Sequence, residues 1–111
     1  MNLNEYKKHC LETWIYTRYL YTTKEINDNT RALLGLIGET GEVAEVYKKY
    51  LRRDFIDIKK RLEQELGDVL YYIMIICNLF NLDINKILEL NIKKLKSRKE
   101  RNKIKSDGDN K

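Results

Sequence analysis

Proline is missing from this chain altogether, and only 5 of its 111 residues are glycine. Both residues punctuate turns and edge strands, so their scarcity argues against a turn-rich β architecture and for long uninterrupted helices. Cysteine is nearly as scarce. Cys10 and Cys77 lie far apart, with no CxxC pair and no disulfide framework. Each falls within an apolar helical pattern, where a free cysteine behaves as a small buried hydrophobe. Long hydrophobic runs are also lacking. The longest, VLYYIMIIC over 69–77, is far short of the ~20 residues a membrane span needs. Residues 1–12 are polar and charged, unlike a signal peptide. These absences lead to the expectation of a cytoplasmic helical protein without a membrane partner.

The formal net charge of +5 raises the question of a nucleic-acid partner, and its distribution answers against one. Residues 93–111 hold nine Lys/Arg and three Asp/Glu, whereas the preceding 92 residues hold 13 basic and 14 acidic side chains. The body is neutral and the basicity belongs to the C-terminal end. Nothing in the body resembles a recognition helix with base-reading side chains. A binder acting through residues 93–105 is the rival reading, and it predicts steeply salt-dependent affinity.

Periodicity divides the chain into four helices and no strand. Tyr6, Cys10, Thr13 or Trp14, Thr17 and Leu20 give residues 3–22 an amphipathic pattern. TTKEINDN then breaks it, and Asn29 or Thr30 is expected to cap a second helix running to about Arg53. That helix carries Leu33, Leu36, Ile37, Val43, Tyr47 and Leu51 on its expected inner side. Asp57 is the expected cap of a third helix over 58–80, with Leu62, Leu66, Val69, Ile73, Ile76 and Phe80 inward. Beyond Asp68 this helix is apolar nearly all round, which fits a central helix or one shared with a second subunit. Asp83 is the expected cap of a fourth helix with Ile87, Leu88, Ile92 and Leu95. The reading is an all-α domain of four helices over residues 1–101, followed by a polar, basic tail over 102–111. Its modest size favours assembly as a dimer or a dimer of dimers.

Four carboxylates stand out against this frame. Glu39 with Glu42, and Glu65 with Asp68, are each spaced i, i+3, so the members of a pair project from one helix face roughly 5–6 Å apart at Cβ. Beside Glu39 and Glu42 lie Leu34, Gly35, Gly38 and Val46, and Glu65 and Asp68 lead straight into VLYYIMII. Carboxylates on a buried face cost several kcal/mol unless something cationic compensates them. Four oxygen donors from two helices suit a hard divalent cation, Mg²⁺ or Mn²⁺. Gly35, Gly38 and Gly41 sit in the same helix at intervals of three, each at a cost of about 1 kcal/mol relative to alanine. Close approach of a ligand beside the acids and tight packing of another helix both account for them. They make no phosphate loop, because GxxxxGK[ST] and its preceding strand are absent.

Glu39-x-x-Glu42, a gap of 22 residues, then Glu65-x-x-Asp68 resembles the ExxE…ExxD signature of the MazG-like all-α nucleoside triphosphate pyrophosphohydrolases. GLIGETGEVAEVYKKYLR resembles the family's second helix and ELGDVLYYI its third. NLDINKILELNIKKLKSRKER resembles its last helix, with Asn91, Lys94, Leu95 and Arg98 in the N-x-x-K-L-x-x-R places. Tyr6, Thr13 and Tyr16 are similar to the Y…TxxY opening of short phage and bacterial members, and SDGDN to their tail. The resemblance implies Mg²⁺-dependent hydrolysis of a (deoxy)nucleoside triphosphate to monophosphate and pyrophosphate. Glu39, Glu42, Glu65 and Asp68 would be metal ligands and catalytic residues, one of them, Glu42 being the candidate, also taking the proton from the attacking water. Substrate contacts would come from Lys48 or Lys49, from Lys94 and Arg98 as phosphate-binding cations, from Asn91, and from Tyr72, one turn past Asp68. Each has a plainer reading as a surface cation or a core tyrosine. Glu45, about 100° from Glu42 around the helix, is a supporting acid or a surface partner of Lys48 or Lys49. Trp14, Tyr16, Tyr19 and Tyr21 offer aromatic surfaces for a base pocket, a core or a subunit interface, and His9 stands far in sequence from the acids. The loop over 22–30, where the family varies most, says nothing of the base. A catalytically silent interaction module and a hydrolase of a related nucleotide such as (p)ppGpp are the other readings.

Overall fold

Asn2 starts the first helix by a reciprocal clasp. Its side-chain oxygen accepts from the Glu5 backbone N–H at 2.9 Å, and its amide donates to the Glu5 carboxylate at 2.7 Å. Such a clasp satisfies N-terminal donors that have no intrahelical acceptor. The computed structural model describes residues 1–14, 24–54 and 57–101. It contains α1 (Leu3–Thr13), α2 (Lys24–Leu51), α3 (Ile58–Leu79) and α4 (Ile84–Glu100), with no strand among the described residues. The all-α expectation holds. No single described helix is long and apolar enough to cross a membrane. Two compact units divide the chain, Met1–Asn81 with α1 to α3 and Leu82–Lys111 with α4.

Local chemistry sets several of the boundaries. The Asp57 side chain caps α3 by accepting from Lys60 N at 3.2 Å, and Asp83 caps α4 by accepting from Asn85 N at 2.9 Å, both as expected. α2 closes in a Schellman arrangement, with Arg53 N–H on Tyr50 O at 3.0 Å and Asp54 N–H on Lys49 O at 3.1 Å. Arg53 occupies the left-handed position there, at φ 62°, where glycine is usual. An ion pair of Arg52 with Asp54 at 2.9 Å spans this turn.

Four expectations are corrected. α1 ends at Thr13, with Trp14 as its C-cap, not at residue 22. α2 begins at Lys24, not at Asn29 or Thr30. Asn27 and Asp28, read as loop polarity, lie inside the helix at 1 % and 3 % exposure, so tertiary burial overrides their turn preference. The inner side of α2 also differs. Ala32 and Val46 are buried, Leu36 and Val43 are half-buried, and Leu33, Ile37, Tyr47 and Leu51 are exposed. α3 approaches α2 through small residues, and a glycine explains how. A Cβ built on Gly35 would run into the ring of Tyr72, so the missing side chain is what seats that aromatic. Gly38 and Gly41 have nothing within 4 Å of where a Cβ would stand. The exposed side chains Leu33, Ile37, Thr40, Ala44, Tyr47 and Leu51 follow the alternating four-and-three spacing of a coiled-coil seam. On α3, Met74, Ile75 and Cys77 are buried, Leu62, Val69, Ile73 and Ile76 are half-buried, and the expected inward residues Leu66 and Phe80 are exposed. A helix apolar all round has no single inner face for periodicity to find. The expected first-helix residues Thr17 and Leu20 lie outside the described residues, as does the tail over 102–111.

α1 runs alongside α3. The Tyr6 hydroxyl donates to the Gly67 carbonyl at 3.2 Å, Thr13 Oγ1 bonds the Tyr71 hydroxyl at 3.1 Å, and Cys10 between them is buried. Burial raises the Cys10 and Cys77 thiols above their ordinary range, and both are free. Burial is also the largest cause that pushes the Tyr6 hydroxyl up to about 12, followed by the Cys10 thiol. The folded chain therefore holds the Tyr6 proton more tightly than the unfolded chain, where tyrosine titrates near ~10. Stability from this group is intact below that value and is lost as pH climbs toward about 12. Tyr6→Phe is expected to cost about 1 kcal/mol at neutral pH, or about 4–8 °C in Tm. The variant should also lose part of the wild-type alkaline decline, which thermal melts at pH 8, 10 and 11.5 would check.

Candidate metal centre

Glu39 sits near the middle of α2, and Glu65 and Asp68 near the middle of α3. The two helices are antiparallel, since Gly35 meets Tyr72 while Glu39, four residues on, meets Asp68 and Glu65. One carboxylate oxygen from each of the three acids lies within 4.8 Å of the other two. Glu39 and Glu65 are half-buried and Asp68 is exposed, so the trio is open to solvent on one side and is not the buried face that periodicity implied. An open edge is what a ligand larger than an ion needs.

Glu42 stands one turn beyond Glu39, exposed, and is not among the three converging acids. Its charge still reaches Glu39. Burial raises the Glu39 carboxyl above the usual carboxylate range, and the charges of Asp68, Glu65 and Glu42 push it further the same way. Like charges this close disfavour joint ionisation, and a divalent cation removes that conflict. The donor set is all carboxylate oxygen, which selects hard cations over Zn²⁺ or Cu²⁺. Two oxygens on one Mg²⁺ or Ca²⁺ lie at most ~4–5 Å apart, twice the metal–oxygen distance. The observed bound of 4.8 Å lies within the reach of Ca²⁺, and about half an ångström of carboxylate movement brings it within that of Mg²⁺.

Tyr72 is half-buried over Gly35, edge-on to Trp14 at 6.5 Å and to Tyr71 at 5.2 Å. It lies one turn from Asp68, within an aromatic group joining α1 to α3. Lys49 is half-buried in the last turn of α2, with exposed Lys48 beside it. Asn91 and Lys94 are exposed on α4 and Arg98 is half-buried there, all within the second unit. Tyr16, Tyr19 and Tyr21 lie outside the described residues. His9 is exposed beside Glu12 at 3.8 Å, away from the trio in sequence and in contacts. One cation close to the trio escaped the sequence reading. Arg61 Nη2 comes to 3.8 Å of Glu65 Oε1, and its only signal was a place four residues before a candidate ligand.

Comparison with known proteins agrees with this geometry. The family model for the MazG nucleotide pyrophosphohydrolase domain matches residues 27–102, a span containing all four acids. Gene 37 protein of Mycobacterium phage L5 is 38% identical over 81 residues, covering 69% of this chain and 71% of that protein. No solved structure gives a significant match. A family match over most of the chain, on helices that bring three of the four expected acids together, identifies this chain as a member of the MazG nucleotide pyrophosphohydrolase domain family.

Proposed function

We propose that this chain hydrolyses (deoxy)nucleoside triphosphates to the monophosphate and pyrophosphate, with Mg²⁺ required and Mn²⁺ able to substitute. The observation that carries the proposal is the meeting of Glu39, Glu65 and Asp68 across α2 and α3. Family membership supports the reaction class, and the meeting of the trio supports a site for it on α2 and α3. A triphosphate carries about four negative charges, which a bare acidic cluster repels. Held by Glu39, Glu65 and Asp68, Mg²⁺ would supply Lewis-acid stabilisation and lower the pKa of a bound water, while Glu42 stands outside the converging three. The protein's part is to hold that charge in place and to manage the proton. Glu42, exposed one turn from Glu39, accepts the proton of the water that attacks the α-phosphorus, and the α–β oxygen leaves with pyrophosphate. Lys49, Lys94 and Arg98 neutralise the remaining phosphate charge, Arg98 by a two-pronged contact. Asn91 and Tyr72 contribute polar and stacking contacts to the nucleotide. Assembly as a dimer or a dimer of dimers would cover the apolar seam that runs along α2 from Leu33 to Leu51.

Pyrophosphate release from a panel of canonical and modified triphosphates tests the reading, with wild type beside Glu42→Gln. Pyrophosphate and monophosphate should appear in equal amounts with Mg²⁺ and vanish with EDTA. The substitution should lower the rate by about 10²–10⁴-fold, the usual contribution of a positioned base. Orthophosphate as the first product, or no turnover of any triphosphate, would overturn it.

A further inference from the structure

Arg61 is the cation that an ion pair ties to the acidic trio among the described residues, yet the pair is loose. Its separation of 3.8 Å exceeds the ~2.7–2.9 Å of a charge-assisted hydrogen bond. No hydrogen bond from the guanidinium to another described residue is formed, so its donors are uncommitted. Its side chain is 40% exposed, while that of Glu65 is only 15% exposed. Arg61, Glu65, Asp68 and Tyr72 follow one another at four-, three- and four-residue intervals, one continuous face of α3. That is the face turned to α2, because Tyr72 covers Gly35 and both acids meet Glu39. The guanidinium thus stands at the edge of the candidate metal centre with one side on a metal-ligand carboxylate and the other in solvent.

We propose that Arg61 is a phosphate-binding residue that also serves as the resting counter-ion of Glu65. Glu65 would be shared between the guanidinium and a cation held by Glu39, Glu65 and Asp68. The planar fork would then be free to take two phosphate oxygens of a nucleotide brought to the trio, a match that suits arginine. This inference rests on the metal reading given under Proposed function. It makes a demand that a helix-stabilising i, i+4 pair does not. Loss of Arg61 should strengthen the binding of metal alone, by removing a rival positive charge, and weaken the binding of nucleotide.

The test compares wild type, Arg61→Gln and Arg61→Lys by calorimetric titration, first with Mn²⁺ alone. The four α,β-imido deoxynucleoside triphosphates follow in saturating Mn²⁺, and the tightest of them is taken for comparison. Arg61→Gln should bind Mn²⁺ about 3- to 10-fold more tightly, the scale of one partly solvated charge beside the site. It should bind the imido analogue about 10-fold or more weakly, as expected for a lost charge-assisted contact. Arg61→Lys should keep the wild-type Mn²⁺ affinity and bind the analogue at an intermediate strength, because the charge remains and the fork does not. Unchanged or weaker Mn²⁺ binding by Arg61→Gln, or unchanged analogue binding, would overturn the role of Arg61 and leave the metal centre standing. A wild-type protein that binds no Mn²⁺ or Mg²⁺ would instead overturn the metal centre, and this inference with it.

Discussion

Asp68→Asn is expected to lower kcat/KM on the best triphosphate by about 10³-fold or more, with helical content unchanged. Asparagine keeps the size of the side chain and one acceptor oxygen but removes the charge. A divalent cation on the trio then loses one of its anionic ligands. Metal-derived stabilisation of a phosphoryl transition state is worth several kcal/mol, and each ~1.4 kcal/mol is tenfold in rate. Glu39→Gln and Glu65→Gln should behave alike. Glu42→Gln should differ in kind, since its carboxylate stands outside the converging three: metal affinity should change little, and the loss should fall on kcat. Steady-state kinetics at several Mg²⁺ concentrations separate these cases. If Asp68→Asn keeps more than about a tenth of the activity, less than ~1.4 kcal/mol has been lost and the trio is not the catalytic centre.

The second large effect concerns Gly35. Gly35→Ala places a methyl group where the Tyr72 ring now lies, against Cδ1, Cε1 and Cζ. The ring has little freedom to retreat, with Trp14 and Tyr71 on its other sides. Overpacking of this kind costs about 1–3 kcal/mol, against a helix-propensity gain of about 1 kcal/mol. The net expectation is a lower Tm, by about 4–8 °C for each kcal/mol lost. Gly38→Ala, three residues on, meets open space and should raise Tm by a similar increment. Placing Gly35→Ala in a Tyr72→Ala background should turn the loss into a gain, because the obstructing ring is gone. Thermal melts of the five proteins complete that cycle. A Gly35→Ala protein as stable as Gly38→Ala would mean that the ring does not sit where it is described.

How much of this was legible beforehand depended on the reach of the physics involved. The caps at Asp57 and Asp83 were readable because a carboxylate that caps a helix acts within three residues of itself. The start of α2 was not, since Asn27 and Asp28 owe their helical state to burial, and short polar side chains in sequence read as a turn. Its inner face was misread for a related reason. The largest apolar residues, Leu33, Ile37, Tyr47 and Leu51, form the more regular stripe, yet Ala32 and Val46 are the buried ones and α3 comes close at Gly35, where no Cβ stands in the way. The acids were legible by spacing together with the apolar run that follows Asp68. Spacing alone did not separate Glu39 from Glu42. Two residues one turn apart share a helix face, but where two helices meet only one of them reaches the partner's acids. Arg61 went unnoticed because an arginine on a charged helical segment is ordinary until its neighbour proves to be a ligand.

The mutual repulsion of Glu39, Glu65 and Asp68 has a consequence for how this chain tolerates change. Glu39 is harder to ionise in the folded protein than in the unfolded one, so at neutral pH its charge works against folding, and acidification relieves that cost. An amide in place of Glu39 would leave a metal-free fold firmer than the natural one, at the loss of the chemistry. Firmness and turnover therefore pull this position in opposite directions. A screen for heat resistance in the presence of EDTA would favour inactive variants, whereas the same screen run in Mg²⁺ would favour active ones, because the ion stabilises the folded chain that holds it.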